Sequence, residues 1–143
     1  MKIKTILYLL IFFFGSLHYT HSNINDKILA KIGNEIITNY DLINEVNTIL
    51  ALSNKTANKD ELNSLQSIAF ASLKKILIKK IEIEKYKVTK YSISDVNNYI
   101  LGLEKKLGIQ NISLEDHFDK YGANYDIFLE GVIINFKWNT LIY

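Results

Sequence analysis

The chain contains no cysteine, no proline and no arginine among its 143 residues. Without cysteine, a disulfide framework and a lipid-modified cysteine are both excluded, so an apolar core must hold the fold together. Asparagine, lysine and isoleucine are abundant, and we interpret this bias, with the missing proline and arginine, as the mark of an AT-rich genome rather than a structural demand. No glycine-rich phosphate-binding loop is present either. These absences argue against an enzyme.

The first 22 residues have the pattern of a signal peptide. Lys2 and Lys4 precede the apolar run of residues 5–14, and Gly15 and Ser16 end that run early. A short basic region followed by about 7 to 15 apolar residues is typical of an export signal, whereas a membrane helix needs about 20. We expect cleavage after Ser22 and a periplasmic location, with an uncleaved N-terminal anchor as the alternative.

The remaining residues, 23–143, are predicted to form one domain. They are too few for two domains, and they contain no internal repeat or flexible linker. Removing Lys2 and Lys4 from the 17 lysines leaves 15 lysines against 15 acids. The sequence pI of about 8.6 therefore belongs to the leader. Nothing in the mature charge indicates a nucleic-acid partner.

Hydrophobic periodicity predicts a mainly α-helical domain with a short N-terminal β-hairpin. Residues 26–31 and 36–38 are β-prone and flank the turn at Gly33 and Asn34. Helices are predicted at about 39–52, 59–86 and 95–107, after Ser113, and from 125 to near the end.

Capping residues support these helices. The expected start signals are Thr38 with Asp41, Asn58 with Glu61, Ser94, Ser113 and Asn124, and the expected stops are Gly108 and Gly122. The first helix is predicted to place Leu42, Val46, Ile49 and Leu50 on one apolar face. The second is predicted to carry an apolar stripe of Leu62, Leu65, Ala69, Leu73, Ile76 and Leu77. Because Phe70, Ile78 and Ile81 lie off that stripe, we expect this helix to be covered on more than one side.

His117 is the only histidine beyond the leader, and it lies among Glu115, Asp116 and Asp119. A metal site would need these side chains to converge, but at this spacing they diverge on a helix and no second histidine is available. We therefore interpret the group as a solvated helix face, as we do the lysine and glutamate cluster of residues 74–87. No catalytic residue, metal ligand or cofactor is predicted.

Aromatic residues crowd the last quarter of the chain, where residues 132–136 are apolar on nearly every side. A helix of this kind needs cover on several faces, and a large exposed apolar patch marks an interaction site. A partner chain, a downstream segment or a bound polypeptide would supply that cover. The candidate contact residues are Phe118, Tyr121, Tyr125, Phe128, Phe136 and Trp138.

The order of these elements resembles the N-terminal domain of the SurA-type periplasmic chaperones, across residues 26–143. The resemblance rests on a signal peptide followed by residues 26–38 (DKILAKIGNEIIT), then Asp41 and Leu42, the long helix over residues 73–84, Ile93-Ser94-Asp95, Leu107-Gly108-Ile109, Ser113-Leu114-Glu115, Phe118, Gly122 and residues 125–128.

The resemblance implies a helical module that binds unfolded outer-membrane proteins, or other polypeptides, without ATP. Members of this family usually continue into parvulin-type prolyl isomerase domains, and their C-terminal segment returns to complete the N-terminal domain. This chain ends at Tyr143 without those parts, which indicates a stand-alone or truncated N-terminal domain. The alternatives are the N-terminal fragment of a prolyl isomerase and a helical envelope protein that dimerises through its last helix.

Overall fold

A computed structural model describes residues 27–109 and 111–142, so the predicted signal peptide lies outside the described residues. Two strands are followed by five helices, and the predicted mainly helical fold with an N-terminal hairpin is confirmed. The elements are β1 (Ile28–Ile32), β2 (Glu35–Thr38), α1 (Asn39–Ser53), α2 (Lys59–Lys85), α3 (Ile93–Leu107), α4 (Leu114–Lys120) and α5 (Tyr125–Ile142).

The hairpin is antiparallel, with an irregularity in register between Ile28 and Ala30. Gly33 occupies the tight turn at φ +61°, a left-handed conformation that glycine adopts without a Cβ clash. Ile37 is 1% exposed and anchors the hairpin in the core, and both strands contact α2. This packing supplies the support that an isolated two-stranded ribbon lacks.

Two predicted capping boxes are present. The Thr38 hydroxyl accepts a hydrogen bond from the Asp41 N–H at 3.2 Å, and the Thr38 N–H donates to the Asp41 carboxylate at 2.8 Å. The Asn58 amide oxygen accepts from the Glu61 N–H at 3.0 Å, and the Asn58 N–H donates back at 2.9 Å. These reciprocal bonds satisfy N–H groups that a helix start leaves unpaired, which fixes the first residues of α1 and α2.

The predicted start of α3 at Ser94 is wrong by two residues. Ser92 is the N-cap, and its hydroxyl accepts from the Asp95 N–H at 3.2 Å. Ser92 stands three residues before an acid, the same spacing as in the caps of α1, α2 and α4. A cap at Ser94 would instead place Asp95 at the first helical position, where its N–H is out of reach of the Ser94 hydroxyl.

The core lies where the C-terminal half of α1 meets α4 and the start of α5. Its centre consists of Ala51, Leu114, Phe118 and Ala123, none more than 3% exposed. Apolar side chains of α3 close this centre from a further side. Phe118 is the largest fully buried side chain, so the short helix α4 contributes more to the core than its length suggests.

Helix α2 packs against α1, α5 and both strands, which agrees with the prediction that it is covered on more than one side. Its apolar stripe is only partly enclosed. Ala69 and Ile83 are the buried residues of α2, and Ile78, which lies off the stripe, is 51% exposed. In the described part of the chain, no helix has both the length and the apolar composition needed to cross a membrane.

Replacing Phe118 with alanine should lower the free energy of unfolding by about 3 to 5 kcal/mol, because it leaves a cavity at the centre of the core. Urea unfolding followed by circular dichroism measures this loss. The control is Tyr86→Ala, at a position that is 59% exposed, where a change within about 0.5 kcal/mol is expected. Equal losses in the two variants would contradict the central position of Phe118.

Candidate functional site

A cleft of about 350 Å³ lies among β2, α1, α2 and α5 and is open to solvent. Most of its lining side chains are aliphatic or aromatic, and they come from all four elements and from Tyr99 of α3. They are Ile36, Ile37, Leu52, Leu73, Ile76, Leu77, Tyr99, Ile127, Phe128, Val132 and Ile134. The cleft is therefore the place where the apolar surfaces of the elements face one another without closing completely.

Gly131 lets α5 approach α2 closely at one wall of the cleft. A Cβ atom built on Gly131 would lie 3.4 Å from Cδ1 of Ile76. Asn135, one turn further along α5, accepts a hydrogen bond from the Lys79 ammonium group at 2.6 Å through its Oδ1 atom. Close approach at the glycine and a polar bond beside it fix the α2–α5 wall.

Most of the charged side chains that line the cleft are negative. The carboxylates are Glu35, Asp41, Glu45 and Glu130, and the cation among the lining residues is Lys80. The Lys80 Nζ atom lies 3.3 Å from Glu35 Oε2 and 3.9 Å from Glu130 Oε1, so one lysine of α2 joins the hairpin to α5. Partly exposed ion pairs of this kind contribute up to about 1 kcal/mol each.

Glu45 and Thr48 lie three residues apart on one face of α1 and both line the cleft. Burial raises the pKa of the Glu45 carboxyl, and a hydrogen bond with the Ser72 side chain partly opposes that rise. Thr48 is 4% exposed, and its hydroxyl has no hydrogen-bond partner among the described residues. Buried hydroxyls without a partner are rare, because losing water without a replacement bond costs free energy.

The predicted apolar face of α1 is buried only in part. Val46 is buried as expected, but Leu42, Ile49 and Leu50 are only half-buried. The other buried residues of α1 are Asn44, Thr48 and Ala51. Asn44 can be buried because it has a hydrogen-bond partner: its Oδ1 atom accepts from the Asn124 N–H at 2.7 Å. Apolar periodicity therefore did not predict the polar residues on the buried face of α1.

The six predicted contact residues fall into two groups. Phe118, Tyr121, Tyr125 and Phe128 form or border the core. Phe118 is fully buried and offers no surface, with its ring centroid 4.7 Å from that of Phe128. Tyr121 is turned toward α1, where its hydroxyl donates to Asn54 Oδ1 at 2.9 Å. Of this group, Phe128 lines the cleft.

Phe136 and Trp138, the second group, lie on α5 beyond the core and are half-buried. Phe136 meets the ring of Tyr99 edge-to-face, with the centroids 6.2 Å apart. The Lys79 ammonium group lies 6.0 Å from the Trp138 ring centroid. Helices α2, α3 and α4 all contact α5, yet Ile142 near its end remains 53% exposed.

The predicted solvated position of His117 is wrong. The side chain is 4% exposed, with its Nε2 atom 2.9 Å from the Ala51 carbonyl oxygen and its ring 5.1 Å from that of Tyr121. Local spacing could not reveal this, because the partner carbonyl lies 66 residues away. Within residues 27–109 and 111–142, no three histidine, aspartate or glutamate side chains converge on a possible metal position.

Glu45→Gln should stabilise the protein near pH 7. Since burial raises the pKa of Glu45 in the folded state, the group favours folding below its unfolded pKa, and this contribution disappears as the pH rises through the folded pKa. The advantage of the glutamine variant should therefore shrink as the pH is lowered toward 4.5, the ordinary value. Urea unfolding across this range measures the difference. Glu84→Gln, at an exposed position of α2, is the control. If the stability difference between Glu45→Gln and the unaltered protein does not change with pH, the raised pKa of Glu45 is contradicted.

Comparison with protein-family models, curated proteins and solved structures finds no match to this chain. The resemblance to the SurA-type chaperones stays a prediction from the sequence.

Proposed function

We propose that this protein is an ATP-independent chaperone module of the periplasm that holds unfolded polypeptide segments, in the manner of the SurA-type chaperones that its sequence resembles. The observation that carries the proposal is the solvent-open cleft, whose walls are mostly aliphatic and aromatic. Its clients would be unfolded outer-membrane proteins, which are rich in alternating apolar residues.

The size of the cleft suits a short stretch of unfolded chain. At about 350 Å³, it is near the lower end of the range for ligand sites, enough for a few side chains of an extended segment. Because the cleft opens to solvent, a segment can enter sideways and its two ends can leave, without being threaded through the fold. Folded proteins keep such side chains buried, so the cleft would select chains that have not yet folded.

Apolar surface outside the cleft supports the same function. Tyr40 and Ile43 lie one turn apart on α1 and are 47% and 51% exposed. Ile93 and Ile28 are 66% and 58% exposed on other elements. Several weak contacts of one long client with such positions add to the contact in the cleft, because each bound segment raises the local concentration of the next.

Dimerisation through α5 is the second candidate, and the exposure of Ile142 at the end of that helix favours it. Size-exclusion chromatography with light scattering separates the two candidates. A monomer at micromolar concentration that still binds clients supports the chaperone, whereas a stable dimer that binds none supports the alternative.

The mature protein, purified after export, should suppress aggregation of a urea-denatured β-barrel protein at near-stoichiometric amounts, as measured by light scattering after dilution. Ile127→Ser removes an apolar side chain that is 36% exposed and lines the cleft. We expect client affinity to fall by about tenfold, because the transfer free energy of one isoleucine exceeds the 1.4 kcal/mol that this factor requires.

The matched control is Ile78→Ser, which makes the same change in the middle of α2, at a position outside the cleft lining. Circular dichroism confirms that both variants are folded. No suppression by the unaltered protein would refute the proposed function. Equal losses of affinity in the two variants would show that clients bind the general surface and not the cleft.

A further inference from the structure

We propose that the cleft prefers extended polypeptide segments in which a lysine or arginine is flanked by apolar residues, with Glu45 receiving the cationic group and the Thr48 hydroxyl bonding the segment's backbone. This inference rests on the proposed function, since it assumes that the cleft binds polypeptide. It adds a specificity that the apolar walls alone do not provide.

The charged side chains that line the cleft favour a cationic ligand group. Four carboxylates line the cleft, against Lys80 as the lining cation. The Lys80 ammonium group is shared between Glu35 and Glu130, and Asp41 is engaged in capping Thr38. Even if Lys79, which bonds the lining residue Asn135, is counted, the negative charges remain in excess. Residues 23–143 carry equal numbers of lysines and acids, so this excess belongs to the cleft.

Thr48 lines the same cleft with a side chain that is 96% buried. Its hydroxyl oxygen is buried beneath the cleft lining and is without a hydrogen-bond partner in the part of the chain that the structure describes. A hydroxyl can donate to a carbonyl or accept from an N–H. An extended segment has both groups free along its backbone, so a bound chain would satisfy this atom wherever its side chains fit.

Glu45 is the lining carboxylate best placed to receive the cationic group. In the described part of the chain this carboxylate forms no ion pair, although it is largely removed from water. A half-buried carboxylate without a cation is unfavourable, and a cationic ligand group would relieve that cost by ion pairing. Since Thr48 lies on the same face of α1, one segment can reach both groups.

The apolar walls decide in favour of a polypeptide over a free amine. An amine gains only the charge interaction, which water weakens at a partly open site. A lysine or arginine within a peptide also brings its aliphatic stem and apolar neighbours against Ile76, Leu77 and Ile127. A cleft lined by both carboxylates and aliphatic side chains matches a cationic side chain in an apolar segment.

The test is fluorescence anisotropy with three labelled eight-residue peptides, which share apolar flanks and differ at one central residue: lysine, norleucine or glutamate. Norleucine keeps the lysine stem without its charge. For the mature protein at pH 7, we expect the lysine peptide to bind about tenfold more tightly than the norleucine peptide, the size of a charge-assisted hydrogen bond, and the glutamate peptide to bind most weakly.

Glu45→Gln should reduce the preference for lysine to less than about twofold and leave the affinity for the norleucine peptide unchanged. Glu84→Gln removes one charge outside the cleft, and it should keep the full preference. The preference should also weaken as the pH falls and protonates Glu45. The other charged groups that line the cleft are Asp41 on α1 itself, Glu35 of β2, Glu130 of α5 and Lys80 of α2, and Lys80 opposes the binding of a cation.

Thr48→Val separates binding from folding. Removing an unpaired buried hydroxyl should raise the free energy of unfolding, while all three peptides lose about threefold to tenfold in affinity with the lost backbone bond. Stability and affinity thus change in opposite directions, which a general loss of structure cannot produce. Unchanged affinities would overturn the role of Thr48.

The failures of the two proposals are distinguishable. If no peptide binds, the proposed function itself fails. If the norleucine and lysine peptides bind equally well, the cleft still binds polypeptide and only the charge preference is refuted. If N-acetyl-lysine methylamide displaces the lysine peptide at equal concentration, the cleft is an amine site, and the preference for a flanked segment is overturned.

Discussion

The structure depends on the hydrogen bonds by which α1 holds the turn between α4 and α5. Asn44 accepts from the Asn124 N–H at 2.7 Å, the Asn47 side chain donates to the Gly122 carbonyl at 3.0 Å, and the Ala51 carbonyl bonds His117 at 2.9 Å. The His117 bond is buried, and a bond shielded from water is stronger and costly to leave unmade. Together these bonds fix where α5 begins and therefore how it crosses α2. Since α1 and α5 are two walls of the cleft, these bonds also set its width.

Local chemistry explains why some of this was predictable from the sequence. The starts of α1 and α2 follow from capping boxes completed within four residues, and Gly108 ends α3 in a left-handed conformation at φ +69°. Asn44 and His117 could not be placed in this way, because their partners lie 80 and 66 residues away. Periodicity treats such residues as surface, whereas the fold buries them by supplying a partner.

The sequence did not predict the cleft, for a related reason. Leu73, Ile76 and Leu77 line the cleft and were predicted to lie on the apolar stripe of α2. A pattern that predicts an apolar face is the same whether two such faces close or stand apart. Two polar residues of α1 distinguish the cleft. Among the described residues, Glu45 is largely removed from water without an ion pair, and the buried Thr48 hydroxyl has no hydrogen-bond partner. Sequences that otherwise agree with their fold break local rules mainly at functional sites. Leaving these groups unpaired costs free energy, and a ligand that pairs with them would remove that cost.

A holdase must bind tightly enough to prevent aggregation and weakly enough to release its client without ATP. In the proposed function, one small cleft that forms a single ion pair with the client would meet the second requirement, because charge interactions at a solvent-open site are modest. The scattered exposed residues, such as Ile93 on α3 and Ile28 on β1, would meet the first, since several weak contacts on one chain combine into strong overall binding. A folding client buries its apolar side chains one after another. Each loss lowers the combined affinity, so folding itself would drive release.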